Sequence, residues 1–468
     1  MARTKATLGA GARLADYLTV GYLALNCPLD RVRQTLVDCG AQSKRRRGLP
    51  HEVLVYYVMC MCLYRRAAYE EVLRIVVEGL RGVYGEEIGQ TLVNEAAISL
   101  ARTRVGVKTF ESLYRSQVVP VGPKGMAGVW YQGLRVMGLD GSTLEVADEA
   151  ANANHFGYPG ASRGAAAFPQ MRFCALAECG TQVLIGAKVG TYATGEQTLA
   201  HQVLDHADKS MLVIADRGFV GYPFWQRALQ TGAKLLFRVR ENQVLPVDQL
   251  LDDGSYLSEL FENPKARRQG QGMRVRVVEY QLQGSAEAYR LVTNWLDEAK
   301  APAAELAALY HRRWKIEMAL GEIKTQLNDS LTLRSKTPVL VEQEFYALLM
   351  AHAAIRTLMT TAARQSKQAS EDLSFIHAVQ VLRRRLPAQA ALPPWLATIT
   401  LAGRRQLSWP VKHRYRAGPG GGSIVSRFKF NEGSRFARQE DHGPSSAEVQ
   451  TPPPEAQSGR CGGQGWDQ

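Results

Sequence analysis

Residues Tyr310–Lys324 read YHRRWKIEMALGEIK. The stretch has no proline and one glycine, Gly321, which predicts a helix. At about 100° per residue, Tyr310, Arg313, Glu317 and Lys324 fall within roughly 60° of one another. A tyrosine, two cations and a carboxylate therefore share one stripe. Leu306, Leu309, Trp314, Ile316 and Leu320 offer other faces for packing. As a solvated face, the stripe would hold an Arg313–Glu317 ion pair worth about a few tenths of a kcal/mol. As a functional face, it combines groups that suit a phosphate and a metal ion.

Working outward, the chain has 468 residues, enough for two to four domains. Hydrophobic residues make up 46 %, so most of it should be globular. The net charge of +13 and pI near 9.4 favour a polyanionic partner such as nucleic acid or an anionic membrane. The most apolar run, VLVYYVMCMCL from Val53 to Leu63, is well short of the ~20 residues of a spanning helix. The N-terminus has no uninterrupted apolar core of the kind a signal peptide needs. The seven cysteines are scattered and match no zinc-site spacing, which fits reduced thiols in a cytoplasmic protein.

Up to about residue 115 the pattern is helical. A helix is expected over Asp30–Cys39. The basic SKRRRGLP (Lys44–Arg47 its four cations) breaks it, and Pro50 opens the next helix at its first position. A further helix runs from Tyr69 to Leu80. Two short helices around Gly106 resemble a helix-turn-helix, with Arg102, Arg104 and Lys108 at the break. From about residue 130, strands and helices alternate, as in a mixed sheet. MRVRVVEYQLQ and YRLVTNWLD predict strands between residues 241 and 300, and helix returns at Pro302. The end of the chain is rich in Gly, Pro, Ser and charge, and reads as disordered.

Asp140 follows LRVMGL and Asp216 follows MLVIA. Each is the first polar residue after a hydrophobic strand, with a glycine close behind. Such carboxylates can converge at a sheet edge, where ligands bind in α/β folds. Equally, Asp-Gly is a common turn and Asp-Arg-Gly can cap a helix. Glu317 would supply a third carboxylate. Three together repel unless neutralised, and their hard oxygens suit Mg²⁺ or Mn²⁺.

Together these blocks resemble the bacterial insertion-sequence DDE transposases of the Tyr-Arg-Glu-Lys signature branch. The spacing Tyr-x2-Arg-x3-Glu-x6-Lys is met by Tyr310, Arg313, Glu317 and Lys324. Asp-x-Gly-(Phe/Tyr) is met by Asp216, Gly218 and Phe219, and Asp-x-(Ser/Thr) by Asp140 and Ser142. The resemblance spans about residues 25 to 415. It implies an α/β, RNase H-like core with a β-rich insertion. The implied division is a helical DNA-binding domain over 1–125 and core over 126–240. The insertion then covers 241–300, the rest of the core and C-terminal helices 301–387, and a basic, partly disordered tail 388–468.

The same resemblance implies an enzyme in which Asp140, Asp216 and Glu317 hold two Mg²⁺ ions, Mn²⁺ being a substitute. It cuts transposon ends, forms a hairpin, reopens it and joins the 3′-hydroxyl to target DNA. Tyr310, Arg313 and Lys324 would contact phosphates, Arg102 and Arg104 the terminal repeat, and Tyr289 a base displaced from the hairpin. Glu196 is a candidate supporting group. Double-stranded DNA and a second copy in a homodimer are the implied partners, with a cytoplasmic, nucleoid-associated location. Two rivals stay open on sequence alone: a metal-dependent nuclease without strand transfer, and a decayed transposase that only binds DNA.

Overall fold

In the computed structural model, described residues span 14–384, with breaks at 44–48, 86–87, 89–92, 161–165, 283–287, 330 and 367, and resume at 413–414. All lie in the compact unit Met1–Phe430. The basic SKRRRGLP run lies largely outside the described residues, as does nearly all of the tail.

The N-terminal part is helical: α1 (Leu14–Asn26), α2 (Leu29–Asp38), α3 (His51–Leu63), α4 (Tyr69–Tyr84) and α5 (Glu95–Gln117). Pro50 is the N-cap of α3 rather than its first residue. Asn94 caps α5, its side-chain oxygen accepting from the Ala97 N–H at 3.0 Å. Gly106 interrupts α5 with φ +71, which glycine adopts without a Cβ clash. The expected pair of helices is there, but one residue joins them, and no turn sets a second helix apart.

The sheet takes in β1 (Trp130–Tyr131), β2 (Leu134–Glu145), β3 (Gln170–Glu178), β4 (Leu184–Gly190), β5 (Met211–Ala215) and β6 (Lys234–Arg238). It continues through β7 (Gln249–Leu250), β8 (Tyr256–Leu260), β9 (Met273–Leu282) and β10 (Ala288–Thr293), with β11 (His413–Arg414) beside β9. Its order is β4-β3-β2-β5-β6-β10-β9-β8-β7. The β2–β3 and β3–β4 pairs are antiparallel, β2–β5 and β5–β6 parallel. Because β10 pairs antiparallel with β6, the strands between residues 241 and 300 extend this one sheet.

Short helices connect the strands: α6 (Ala150–Phe156), α7 (Glu196–Val203), α8 (Tyr222–Gln230) and α9 (Pro264–Arg268). After β10 come α10 (Ala303–Tyr310), α11 (Trp314–Gly321), α12 (Pro338–Ser366) and α13 (Phe375–Arg384). The long α12 is buried along most of its length and packs against α3 and α5. Phe345 of α12 meets Phe173 of β3 at 5.1 Å between ring centroids, and Tyr114 of α5 donates to the Leu184 carbonyl of β4 at 2.8 Å. One apolar cluster therefore runs from the N-terminal helices into the sheet, and packing does not stop near residue 125.

Candidate active site

The sheet register decides where the aspartates meet. Along the parallel β2–β5 pair the last partners are Leu139 and Ala215, so Asp140 and Asp216 follow side by side. The expectation that a strand ends at Asp140 is corrected: β2 runs on to Glu145, because Asp140–Glu145 stay paired with β3. Only β5 ends at its aspartate. Asp216 then turns, its Oδ1 accepting from the Gly218 N–H at 2.7 Å, and buried Phe219 anchors the turn beside Phe224.

Glu196, the first residue of α7, lies across Gly141. A side-chain carbon at 141 would fall 1.9 Å from its Oε1, so glycine there lets the Glu196 carboxyl lie against β2. Gln197 ties the same helix end to the second aspartate's turn, donating to the Gly218 carbonyl at 2.6 Å.

Tyr310–Lys324 is not one α-helix. Tyr310 ends α10, His311–Arg313 tighten into a 3₁₀ turn, α11 follows, and Glu322–Leu327 widen into a π turn. At that turn the Thr325 hydroxyl donates to the Gly321 carbonyl at 2.7 Å, competing with the backbone ladder. The stripe still reaches the aspartates. Arg313 Nη1 lies 2.6 Å from Glu317 Oε1 and 3.6 Å from Asp140 Oδ2, so one guanidinium bridges two of the three carboxylates. Lys324 Nζ donates to Ser142 Oγ at 3.2 Å, two residues beyond Asp140. Tyr310 is buried beside Arg313.

The electrostatics follow from this crowding. Burial pushes the Asp140 carboxyl up to about 7; Asp216 and Glu196 add to the rise, while the Gly141 N–H and Arg313 oppose it. Burial also raises Glu196, with Asp216 adding to it. Burial alone would depress Arg313, but Tyr310, Glu317 and Asp140 outweigh it and hold the cation firmly charged. Among the described residues, no three His, Cys, Asp or Glu side chains stand ready-gathered around a metal position. The donor chemistry nevertheless fits a hard dication: the carboxylates are oxygen-only ligands, and a dication would offset the burial and the like charges that raise Asp140.

Tyr289 lies on β10 within reach of this site. Its ring stacks on Tyr280 at 5.1 Å and 17°, and meets Tyr310 edge-on at 6.5 Å. The Arg238 guanidinium sits 4.2 Å from its centroid. Tyr289 lines a cleft of about 770 Å³ together with Arg217, Arg238, Arg240, Asn242 and Arg290. Of these arginines, Arg238 and Arg240 carry a sequence signal, FRVREN closing a strand with two cations. Trp295 is instead buried against Tyr131.

Arg102 is internal, against the expectation that it meets the terminal repeat. It is 4 % exposed, and its guanidinium donates to Gln343 Oε1 at 3.3 Å, Ser335 Oγ at 3.0 Å and the Leu340 carbonyl at 2.8 Å. It joins α5 to α12 inside the core and reaches no surface where DNA could lie. Arg104 is exposed on the same helix.

Residues 131–353 match a family model described as "Transposase DDE domain", and residues 18–115 one described as "Insertion element 4 transposase N-terminal". The chain is similar to the transposase InsG for insertion sequence element IS4 of Escherichia coli (strain K12). The two are 25 % identical over 397 residues, 83 % of this chain and 88 % of that protein. The putative transposase InsZ of the same organism is 25 % identical over 197 residues, 42 % of this chain and 63 % of that protein. Among solved structures, the piggyBac transposase synaptic complex with hairpin DNA aligns with a TM-score of 0.41 and 8 % identity, covering 80 % of this chain and 81 % of that one.

Proposed function

We propose that this chain, a DDE transposase of the IS4 family by its two family matches and its likeness to an IS4 transposase, cleaves and transfers DNA strands by cut-and-paste transposition through a hairpin at each end, in the manner of the Tyr-Arg-Glu-Lys branch. The observation that carries the reading is that Asp140 and Asp216 follow side by side on β2 and β5 while Arg313 pairs with both Asp140 and Glu317. We assign the strands β4-β3-β2-β5-β6 to an RNase H-like core, β7–β10 to the insertion, and residues 1–125 to DNA binding.

Asp140, Asp216 and Glu317 would hold the divalent metal, Mg²⁺ with Mn²⁺ as substitute, which when bound activates the attacking oxygen and stabilises the leaving one. Arg313 holds a positive charge beside the carboxylates, where a phosphodiester would otherwise be repelled. Lys324, placed against Ser142, offers a second cation for the strand, while Tyr310, expected at a phosphate, is buried and packs behind Arg313. Tyr289 receives the base that leaves the stack when the strand turns back. Exposed Arg104 is assigned to the terminal repeat. The protein acts on double-stranded DNA as a homodimer associated with the nucleoid. Among the described residues no helix is long and apolar enough to cross a membrane.

The test uses DNA ends carrying the element's inverted repeats, with Mg²⁺. Denaturing gels should show a nick, then a hairpin, and a pre-cut end should join to a target plasmid. Cutting without hairpin would remove the hairpin route. Cutting with no joining of a pre-cut end would leave a nuclease.

A further inference from the structure

The π turn that carries Lys324 is held from behind by a buried ionic cluster that the reaction as described does not use. Glu322, the first residue of that turn, is 5 % exposed. Its Oε2 accepts from Arg356 Nε at 2.9 Å and lies 3.0 Å from His352 Nε2, while Arg356 Nη2 pairs with its other oxygen. Both partners stand one turn apart on α12 and are fully enclosed. Phe375 of α13 covers them, 5.2 Å from the His352 ring and 5.4 Å from the Arg356 guanidinium.

Stability alone does not call for such a cluster. A buried ion pair is usually no more stabilising than apolar side chains of the same volume. This one also leaves Arg356 Nη1 and His352 Nδ1 without hydrogen-bond partners. What it does supply is direction. A carboxylate gripped by two guanidinium nitrogens and an imidazole has one orientation, set by α12. Residues two apart on a helical turn face roughly opposite sides. With Glu322 fixed inward, Lys324 is turned outward, onto Ser142 beside Asp140. A π turn departs from the regular α-helical hydrogen-bond ladder, and such turns recur at functional sites.

We propose that Glu322, clamped by Arg356 and His352, is a positioning residue that aims Lys324 at the DNA strand next to Asp140. The inference rests on the reading of Lys324 as a phosphate contact. Coupling runs through one rigid turn: move Glu322, and the Lys324 ammonium moves off the strand.

A double-mutant cycle tests it, using the full chain and end DNA in single-turnover cleavage, with end binding by gel shift and the thermal midpoint measured alongside. Glu322→Gln should slow cleavage on the order of 10- to 100-fold, the cost of an ångström-scale misplacement, and leave end binding near wild type. In a Lys324→Ala background the same substitution should slow cleavage no further. If it slows both proteins by the same factor, Glu322 does not act through Lys324 and the proposal falls. If Glu322→Gln loses the fold, the pair Glu322→Gln with Arg356→Met removes both buried charges together, and the cycle is read from that pair with the same two outcomes. A Lys324→Ala protein that cleaves and binds like wild type would instead overturn the phosphate reading of Lys324, and the positioning role with it.

Discussion

Arg102 and Arg313 invite the same reading: each is an arginine close to a break in a helix, in a chain with a large positive charge. Their surroundings separate them. Arg102, at 4 % exposure, is consumed by the core. It bonds to α12 and the segment before it, and burial lowers its pKa although Glu344 pulls the other way. Arg313, its side chain 17 % exposed, keeps one face toward the sheet edge and is held charged by two carboxylates that DNA chemistry would use. The break at Gly106 gives α5 a kink inside a helical bundle. The 3₁₀ turn at His311–Arg313 lies over the end of a parallel strand pair. What an arginine does here depends on which acceptors the tertiary structure brings to it.

The largest expected effects lie on the Arg313 side of that comparison. Alanine at Asp140, Asp216 or Glu317 should abolish strand cleavage while end binding, which rests on basic groups, persists. Nicking and gel-shift assays on the three proteins check this, and residual cutting by any one would strike that residue from the site. On the Arg102 side the effect should be on folding. Arg102→Ala removes the buried donor to Gln343, Ser335 and the Leu340 carbonyl, for a loss of about 3 kcal/mol. Denaturant unfolding measures it; a stable variant with weakened end binding would reverse the comparison. Arg313→Ala should do the opposite, lowering the cleavage rate with little change in thermal midpoint.

Tyr289→Ala sharpens the picture at the cleft. Base–aromatic stacking of about 1–3 kcal/mol means hairpin formation should slow roughly 5- to 150-fold relative to first-strand nicking. Equal slowing of both steps, or a selective defect in Trp295→Ala, would remove Tyr289 from that role. A smaller effect concerns pH in the metal-free protein. Asp140 is raised in the folded state to about 7 from its ordinary value. Its contribution to stability is therefore fully present below the unfolded pKa of about 4 and is lost as pH rises through 7. Asp140→Asn should flatten that part of the thermal-midpoint profile, and an unchanged slope would refute the assignment. The smallest effect is expected at exposed Arg104, where alanine should weaken discrimination between terminal repeat and random DNA at fixed salt.

Much of this was open to reading from the chain alone. The apolar runs before Asp140 and Asp216 announce strands, because buried parallel strands must be hydrophobic on both faces. The spacing from Tyr310 to Lys324 keeps four polar residues on one side of a helix even after the 3₁₀ and π turns shift its phase. The family blocks add the chemistry. Sequence did not reveal that β2 continues past Asp140, that Arg102 is internal, that Arg238, Arg240 and Arg290 share a cleft with Tyr289, or that Glu322 is clamped by Arg356. Each of these depends on a partner far away in the chain, 241 residues for Arg102 and Gln343, 34 for Glu322 and Arg356. Periodicity reports which face of an element is apolar, since that face is set by neighbours within a turn or two. Whether a charge on that element meets water, DNA or a buried carboxylate is set by sheet register and by which helix closes over it, and those contacts exist only once the chain has folded.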